Sequence, residues 1–284
     1  MRRFLALLKI KIAALSTISA AAGYILARKG KSLSPETLFL LLIGTLFLAA
    51  GAAALNQYQE REIDARMDRT KRRPIPSGEL APRAALIISL GLIASGEILL
   101  VLGTNWKTAA LGAFAVAWYN GVYTYLKRVT PLALIFGAIV GAIPPAMGWT
   151  AGGGAITSPK NLLVCIFFFL WQIPHFWLVM LKYGEEYREA RLPSFSGTME
   201  KEQLKRITFV WLVAVAVASF TIPLFGVTAT EGTKLILTGG VILYLFKGIS
   251  LLKRELEPAL PSLFRTVNGY ALLLTILIGI DALI

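Results

Sequence analysis

Asn56-Gln-Tyr-Gln-Glu60-Arg61-Glu62-Ile-Asp64-Ala-Arg66-Met-Asp68-Arg69-Thr-Lys71-Arg72-Arg73-Pro74, continued by Ile-Pro-Ser-Gly-Glu-Leu-Ala-Pro-Arg83, is the most densely charged stretch of an otherwise apolar chain. Asn56, Glu60, Asp64 and Asp68 recur every fourth residue, a spacing that places them along one face of a helix. Arg61, Arg69 and Arg73 follow the same step as a neighbouring basic stripe. Stacked carboxylates repel by a few tenths of a kcal/mol per pair, so the acidic face calls for a cation. A hard cation such as Mg²⁺ takes oxygen ligands, one or two of them carboxylates, and often shares a substrate's phosphates. The four positions span about 18 Å, so one ion cannot touch all of them. The C-terminal pair, Asp64 and Asp68, is the expected metal site, with Asn56 and Glu60 lining the same cleft. Lys71, Arg72 and Arg73 suit the charge of a diphosphate. The plain alternative is a solvated helix of mixed charge, which the Glu62/Arg66 pair fits.

What surrounds this stretch decides its setting. The chain has 284 residues, is 56% hydrophobic, and has a mean hydropathy of +0.66, a membrane-protein composition. Nine apolar segments run over Leu5–Ala27, Thr37–Leu55, Ala84–Leu102, Thr108–Tyr125, Pro131–Thr150, Leu162–Met180, Ile207–Val227, Leu235–Leu252 and Leu263–Ile284. They imply one polytopic domain over residues 1–284. Arg2 and Arg3 ahead of the first segment raise a signal peptide, but Lys9 and Lys11 fall inside it and many spans follow. It reads as a retained first helix. The net charge of +13 fits cytoplasmic loops and anionic lipid rather than nucleic acid. The single cysteine, Cys165, excludes an internal disulfide and reads as a packed core thiol.

With the N-terminus in the cytoplasm, 23 of the 29 Lys and Arg residues fall on the inner side, Lys253 and Arg254 among them. Six fall outside: Arg28, Lys29, Lys31, Lys107, Lys160 and Lys234. The positive-inside rule then expects a cytoplasmic-membrane protein with the Asn56–Arg83 loop inside and the C-terminus outside.

A second acidic loop lies on the same side: Lys182-Tyr-Gly-Glu185-Glu186-Tyr-Arg-Glu189-Ala-Arg-Leu-Pro-Ser-Phe-Ser-Gly. Glu185 and Glu189 are four apart with Glu186 between, and either set is a candidate for a second metal. Its Pro/Ser/Gly tail echoes Arg73-Pro-Ile-Pro-Ser-Gly, so two acidic helices leaving the membrane are expected to form two jaws of one site. Between them, Pro144-Pro145 is expected to break the fifth segment beside Gly137, Gly141 and Gly148. The sixth carries Trp171-Gln172-Ile-Pro174-His175-Phe, with the only histidine about 22 Å along the helix from Lys160, near the inner face. Polar groups inside a span are functional candidates. Tyr123 and Lys127 close the fourth span, where Lys127 can reach an anion or snorkel. Glu97, in the third span, receives no role.

These motifs resemble those of UbiA-superfamily intramembrane prenyltransferases, and within them most closely the heme-farnesylating members. The resemblance covers nearly the whole chain. It rests on Asn56-x-Tyr-x-Glu-Arg-Glu-Ile-Asp-x-x-Met-Asp-Arg-Thr-x-x-Arg-Pro, Gly137-Ala-x-x-Gly-Ala-Ile-Pro-Pro-x-x-Gly-Trp-Thr-Ala and Trp171-Gln-x-Pro-His-Phe. It implies an all-α membrane protein of nine helices around a central cavity. It implies Mg²⁺ held by the acidic motifs at Asp64, Asp68, Glu185, Glu186 and Glu189. A prenyl diphosphate then lies against Arg69, Lys71, Arg72, Arg73 and Lys127, and the acceptor against Tyr123, Trp171, Gln172 and His175. The implied reaction is farnesyl transfer from farnesyl diphosphate to a vinyl group of heme b, with His175 as iron ligand or as the base that activates water. Heme A synthase or terminal oxidase assembly would take the product. Glu60 and Glu186 stand where that family usually has Asp. A related enzyme acting on an aromatic quinone precursor, or a non-catalytic heme or lipid carrier, are the competing readings. His175 favours heme over a phenolic acid, and the acidic repeat disfavours a carrier.

Overall fold

Sequence punctuation sets the helices of the computed structural model, which describes residues 2–252 and 258–284. Ser34 caps the third helix by accepting the Thr37 N–H (3.2 Å), with Pro35 in the first turn where its missing N–H costs nothing. Asn105 caps another by accepting from Lys107 and Thr108. The elements are α1 (Arg2–Leu7), α2 (Ile10–Ala27), α3 (Pro35–Asp64), α4 (Pro82–Gly103), α5 (Trp106–Val116), a π-helical segment (Ala117–Tyr123), α6 (Thr124–Leu126), α7 (Ala133–Ala151), α8 (Pro159–Glu189), α9 (Lys201–Leu224), α10 (Glu231–Gly248) and α11 (Leu260–Leu283). Short 3₁₀ turns lie at Phe195–Gly197 and Ile249–Leu252. The all-α membrane class expected from the sequence holds.

Among the described residues eight helices are long and apolar enough to cross a membrane. The remaining apolar segment, the fourth, is an unbroken helical run over 106–126 whose middle is π rather than α. The first segment departs from expectation. It is not one helix: Lys9, in the left-handed region at φ 45°, divides α1 from α2. The fifth departs too, because α7 runs through Pro144 and Pro145 without interruption. Lys253 and Arg254 lie outside the described residues.

Each span packs against the next along the chain, and α11 returns to α2, closing a ring. Lys29 fastens that closure to buried Asp281 (3.1 Å), which also accepts the N–H groups of Ala229 and Thr230. Inside the ring α2 crosses α7 at backbone contact. A Cβ on Gly148 would collide with the Ala20 carbonyl, and one on Gly23 with that of Pro145. Close approach of this kind is the use membrane helices make of small residues. Large apolar side chains such as Ile87, Leu102, Val210, Leu235 and Phe246 point outward, where lipid rather than water is their solvent.

Candidate active site

The acidic repeat begins as the spacing predicts. Asn56, Glu60 and Asp64 lie on one face of the last turns of α3 and are 2%, 4% and 3% exposed. Burial makes their partners decisive, since a buried charge left alone costs several kcal/mol. Arg73 Nη1 donates to Asp64 Oδ2 at 2.7 Å. Lys127, from the end of the fourth span, makes an ion pair with Glu60 Oε1, but without hydrogen-bond geometry, so that oxygen has no hydrogen bond. Lys9 Nζ donates to Asn56 Oδ1 at 3.3 Å. The cation that the stripe demands is thus supplied three times over by the chain itself.

The repeat ends there. Asp64 is the last residue of α3, and Thr70 caps that end by donating its hydroxyl to the Asp64 carbonyl (2.9 Å). Asp68 follows in a run of turns, its side chain 77% exposed and paired with Lys71. The hydrogen bond from Lys71, helped by the charges of Lys71 and Arg72, holds the Asp68 carboxyl below the usual carboxylate range. The expected four-residue face is therefore three residues long, and Asp64 and Asp68 are not stacked. The expected stripe of Arg61, Arg69 and Arg73 is not formed either. Arg61 pairs with Glu62 and lies over the Tyr58 ring, while the other two belong to the loop. Of the three loop cations assigned to diphosphate, Arg73 turns inward, whereas Lys71 and Arg72 face solvent.

The two acidic loops do meet. α8 bends at Tyr183 (φ −121°), and Glu186 Oε2 accepts the backbone N–H of Arg69 at 3.0 Å. The Arg69 guanidinium covers the Tyr183 ring at 5.1 Å. Glu185 and Glu189 do not join in: Glu189 is exposed, and Glu185, 78% exposed, pairs with Arg188 at 2.6 Å. Among the described residues no three His, Cys, Asp or Glu side chains converge to hold an ion, so Asp64, Asp68, Glu185, Glu186 and Glu189 are not gathered around one point. The echoed loop tails also differ. The first is a turn with Gly78 at φ +75°, the second a 3₁₀ turn over Phe195–Gly197 after Arg191 at φ +56°. A hard cation nonetheless suits the inner set. Glu60, Asp64 and the Asn56 carbonyl offer oxygen only, they are sequestered from water, and one carboxylate oxygen lacks a hydrogen bond.

Next to the stripe lie the side chains expected to hold the acceptor. Tyr123 stacks on Tyr119 (5.7 Å between centroids) and on Phe176 (6.3 Å), with Lys127 Nζ 5.6 Å above its ring. The glycines of α7 make this possible: a Cβ at Gly137 would strike the Tyr123 ring at 2.6 Å, and one at Gly141 the Gln172 Oε1 at 2.8 Å. Trp171 donates its indole N–H to the Val267 carbonyl (3.0 Å). His175 sits among Trp171, Phe176 and Phe264, with Nδ1 2.8 Å from Asn268 Oδ1. An amide oxygen only accepts, and the Asn268 Nδ2 is engaged by the Phe264 carbonyl, so the His175 proton is on Nδ1 and Nε2 presents its lone pair. Cys165 hydrogen-bonds only Asn161, three helical turns from His175.

Sequence reasoning missed Asn268, Thr124, Asn120 and the role of Lys9. Lys9 was visible as a charge inside an apolar segment; the other three are polar residues whose partners lie more than 60 positions away.

The geometry has relatives. The model of the UbiA prenyltransferase family matches residues 15–270. A protoheme IX farnesyltransferase of Geobacter sulfurreducens is 40% identical over 228 residues, covering 80% of this chain and 83% of its own length. One from Azorhizobium caulinodans is 33% identical over 274 residues, 96% of this chain and 88% of that one. A UbiA homologue from Aeropyrum pernix K1 superposes with a TM-score of 0.76 at 19% identity, covering 96% of this chain and 98% of its own. Another, from Archaeoglobus fulgidus and bound to GPP and Mg²⁺, gives 0.67 at 15% identity, with 97% and 99% covered. The match runs through the helices, the acidic end of α3 and α8 together, and the chain belongs to the UbiA prenyltransferase family.

Proposed function

We propose that this chain transfers the farnesyl group of farnesyl diphosphate to a vinyl group of heme b at the acidic end of the bundle. The observation that carries the acceptor is His175: a lone-pair Nε2, with the ring fixed by Asn268, on the same helix as Glu186, across the Tyr183 bend from it. Its curated relatives carry the same activity in their names.

Asn56, Glu60 and Asp64 would hold Mg²⁺, with Asp68 and Glu186 as further ligands from the loops. The ion supplies charge neutralisation for a departing diphosphate. Arg73 and Lys127, which neutralise the stripe in the free chain, then have their charge available to the diphosphate oxygens, with Arg69, Lys71 and Arg72 at the mouth. The C1–O bond of the farnesyl donor breaks and diphosphate leaves with the electron pair. The vinyl π pair bonds its terminal carbon to C1, and water adds to the cation left beside the macrocycle and gives up a proton. The heme thereby gains one farnesyl and one hydroxyl. Tyr123, Phe176 and Trp171 wall the reacting centre with apolar surface that keeps early water out.

Purified protein incubated with heme b, farnesyl diphosphate and Mg²⁺ should yield a heme heavier by those two groups in mass spectrometry. Unchanged heme with the farnesyl group transferred to an added aromatic acid and diphosphate released would move the acceptor to the quinone-precursor reading. The charge asymmetry supports a cytoplasmic-membrane orientation with the acidic loops inside. Single cysteines at Ser77 and Thr157, in a Cys165→Ala background, should label from opposite sides of sealed vesicles; labelling from one side overturns it.

A further inference from the structure

The fourth span passes from α to π geometry at Ala117 and back at Thr124, and these seven residues are where it runs along the acidic face of α3. A π turn closes its hydrogen bonds five residues back, and such turns concentrate at functional sites. α3 presents its face in steps of four, at Ala52, Asn56 and Glu60. The fourth span's contacts with that face come from Asn120, inside the π turn, and from Thr124 and Lys127 just after it. Asn120 Nδ2 donates to the Ala52 carbonyl (3.0 Å), Thr124 meets Asn56, and Lys127 meets Glu60.

Thr124 is fully buried. Its backbone N–H and its hydroxyl both go to the Tyr119 carbonyl, the hydroxyl at 2.8 Å. With that hydrogen committed, Oγ1 has only lone pairs to offer, and Asn56 Nδ2 donates to it at 3.1 Å. On the other side of the amide stands Lys9, whose Nζ donates to Oδ1 at 3.3 Å. The two partners set the Asn56 amide with its nitrogen to the fourth span and its oxygen to Lys9, which itself lies within the fields of Glu60 and Asp64.

We infer that Thr124 is a positioning residue of the metal–diphosphate site: through the π turn it holds the Asn56 amide so that its carbonyl oxygen stays on the Lys9 side, where Glu60 and Asp64 would hold a cation with it. This rests on reading the α3 stripe as the metal site. An outer partner that fixes a ligand's orientation is worth about 10–100-fold in metal affinity or activity.

The test uses the full chain in lipid nanodiscs, without heme. Farnesyl diphosphate binding is followed by calorimetry across a Mg²⁺ series. Thr124→Val keeps the shape and removes the acceptor oxygen; Thr124→Ser restores it. Thr124→Val should raise the Mg²⁺ concentration for half-saturation by roughly 10–100-fold, and Thr124→Ser should return it close to wild type. A threonine that merely supports the fold would lower the melting temperature of Thr124→Val and leave its Mg²⁺ requirement unchanged. That result, or a serine variant as impaired as the valine one, overturns the assignment. If Thr124→Val does not fold, Thr124→Ala is judged by the same criterion. Wild-type protein that binds farnesyl diphosphate with Mg²⁺ but leaves heme unchanged refutes the acceptor and not the role of Thr124. Wild-type binding that ignores Mg²⁺ overturns both the stripe and Thr124.

Discussion

The acidic ends of α3 and α8 carry the same four-residue spacing, Glu60/Asp64 in one and Glu185/Glu189 in the other, and the fold puts them to opposite uses. On α3 the repeat faces the bundle interior, and each carboxylate takes a cation from outside the helix, Asp64 from Arg73 in the following loop and Glu60 from Lys127 at the end of the fourth span. On α8 the repeat faces solvent, paired only with local Arg188, and the odd residue out, Glu186, is the one that crosses to the other loop. Spacing says that two carboxylates share a face. Which face is buried depends on what the helix packs against, and that decides whether the pair is a site or a solvated surface.

The sharpest break of this contrast is Asp64→Asn. Turnover should fall by more than about 100-fold, as expected when a charge aimed at the reacting group is lost. Like-charge repulsion alone would leave the ligand-free protein as stable as before. The structure reverses that expectation, because the substitution strands half-buried Arg73 beside a neutral amide. A charged hydrogen bond lost in this way costs about 1.5–3 kcal/mol. Thermal melting without substrate should show the loss, and an unchanged melting temperature would mean that Arg73 is not held by Asp64.

Next in size comes the stretch of α8 proposed to hold the acceptor. His175→Ala should weaken heme binding and alter the heme absorption spectrum while Mg²⁺-dependent farnesyl diphosphate binding persists. Asn268→Ala, which frees the ring and its tautomer, should cost about 10–100-fold in heme affinity. Normal heme binding with turnover lowered roughly 10²–10⁴-fold in His175→Ala would make it a base for the capturing water instead.

The comparison within α8 itself is smaller. Glu186→Gln should lower turnover by about tenfold, the scale of one lost charge-assisted hydrogen bond, whereas Glu185→Gln and Glu189→Gln should stay within about twofold. Equal losses in all three, measured under one assay, would restore the Glu185/Glu189 pair as the working set.

Much of this was legible in the sequence. Run length and composition drew the spans, and the four-step repeat found Asn56, Glu60 and Asp64. The Trp171–His175 motif pointed at the aromatic cluster around His175. What escaped was set by competition between local and distant contacts. Nothing in Asp64-Ala-Arg-Met-Asp68 forbids another helical turn, yet the Thr70 cap and the Arg73 ion pair end the helix there. Nothing in Ala117–Tyr123 announces a π turn, and its partners on α3 lie more than 60 positions away. Pro144-Pro145 looked like a break, but tight packing of α7 on α2 holds the helix through it.

The subtlest difference between the two acidic ends is the third cation, which only α3 receives. Lys9, itself left-handed where the chain turns between α1 and α2, reaches Asn56, and Gln57 fixes the approach by donating to the Ala6 and Leu7 carbonyls. Burial foremost, then the charges of Arg73 and Lys127, lower its pKa from 10.5 to about 7, against the pull of Glu60 and Asp64. The folded chain therefore binds fewer protons than the unfolded one between about pH 7 and 10.5. In that window stability without ligand should rise with pH; the gain is complete above the unfolded pKa and lost as pH falls towards 7. One proton limits the slope to about 1.4 kcal/mol per pH unit, and solvent reaching the half-buried ammonium reduces it further. Lys9→Met should remove this part of the slope, so its advantage over wild type in thermal melting should be greatest near pH 7 and shrink towards pH 9.5. A difference that stays flat across those pH values would show Lys9 to be charged and solvated throughout. The α3 stripe would then have two structural cations, Arg73 and Lys127, and the break at Lys9 would serve only to set α1 against α3.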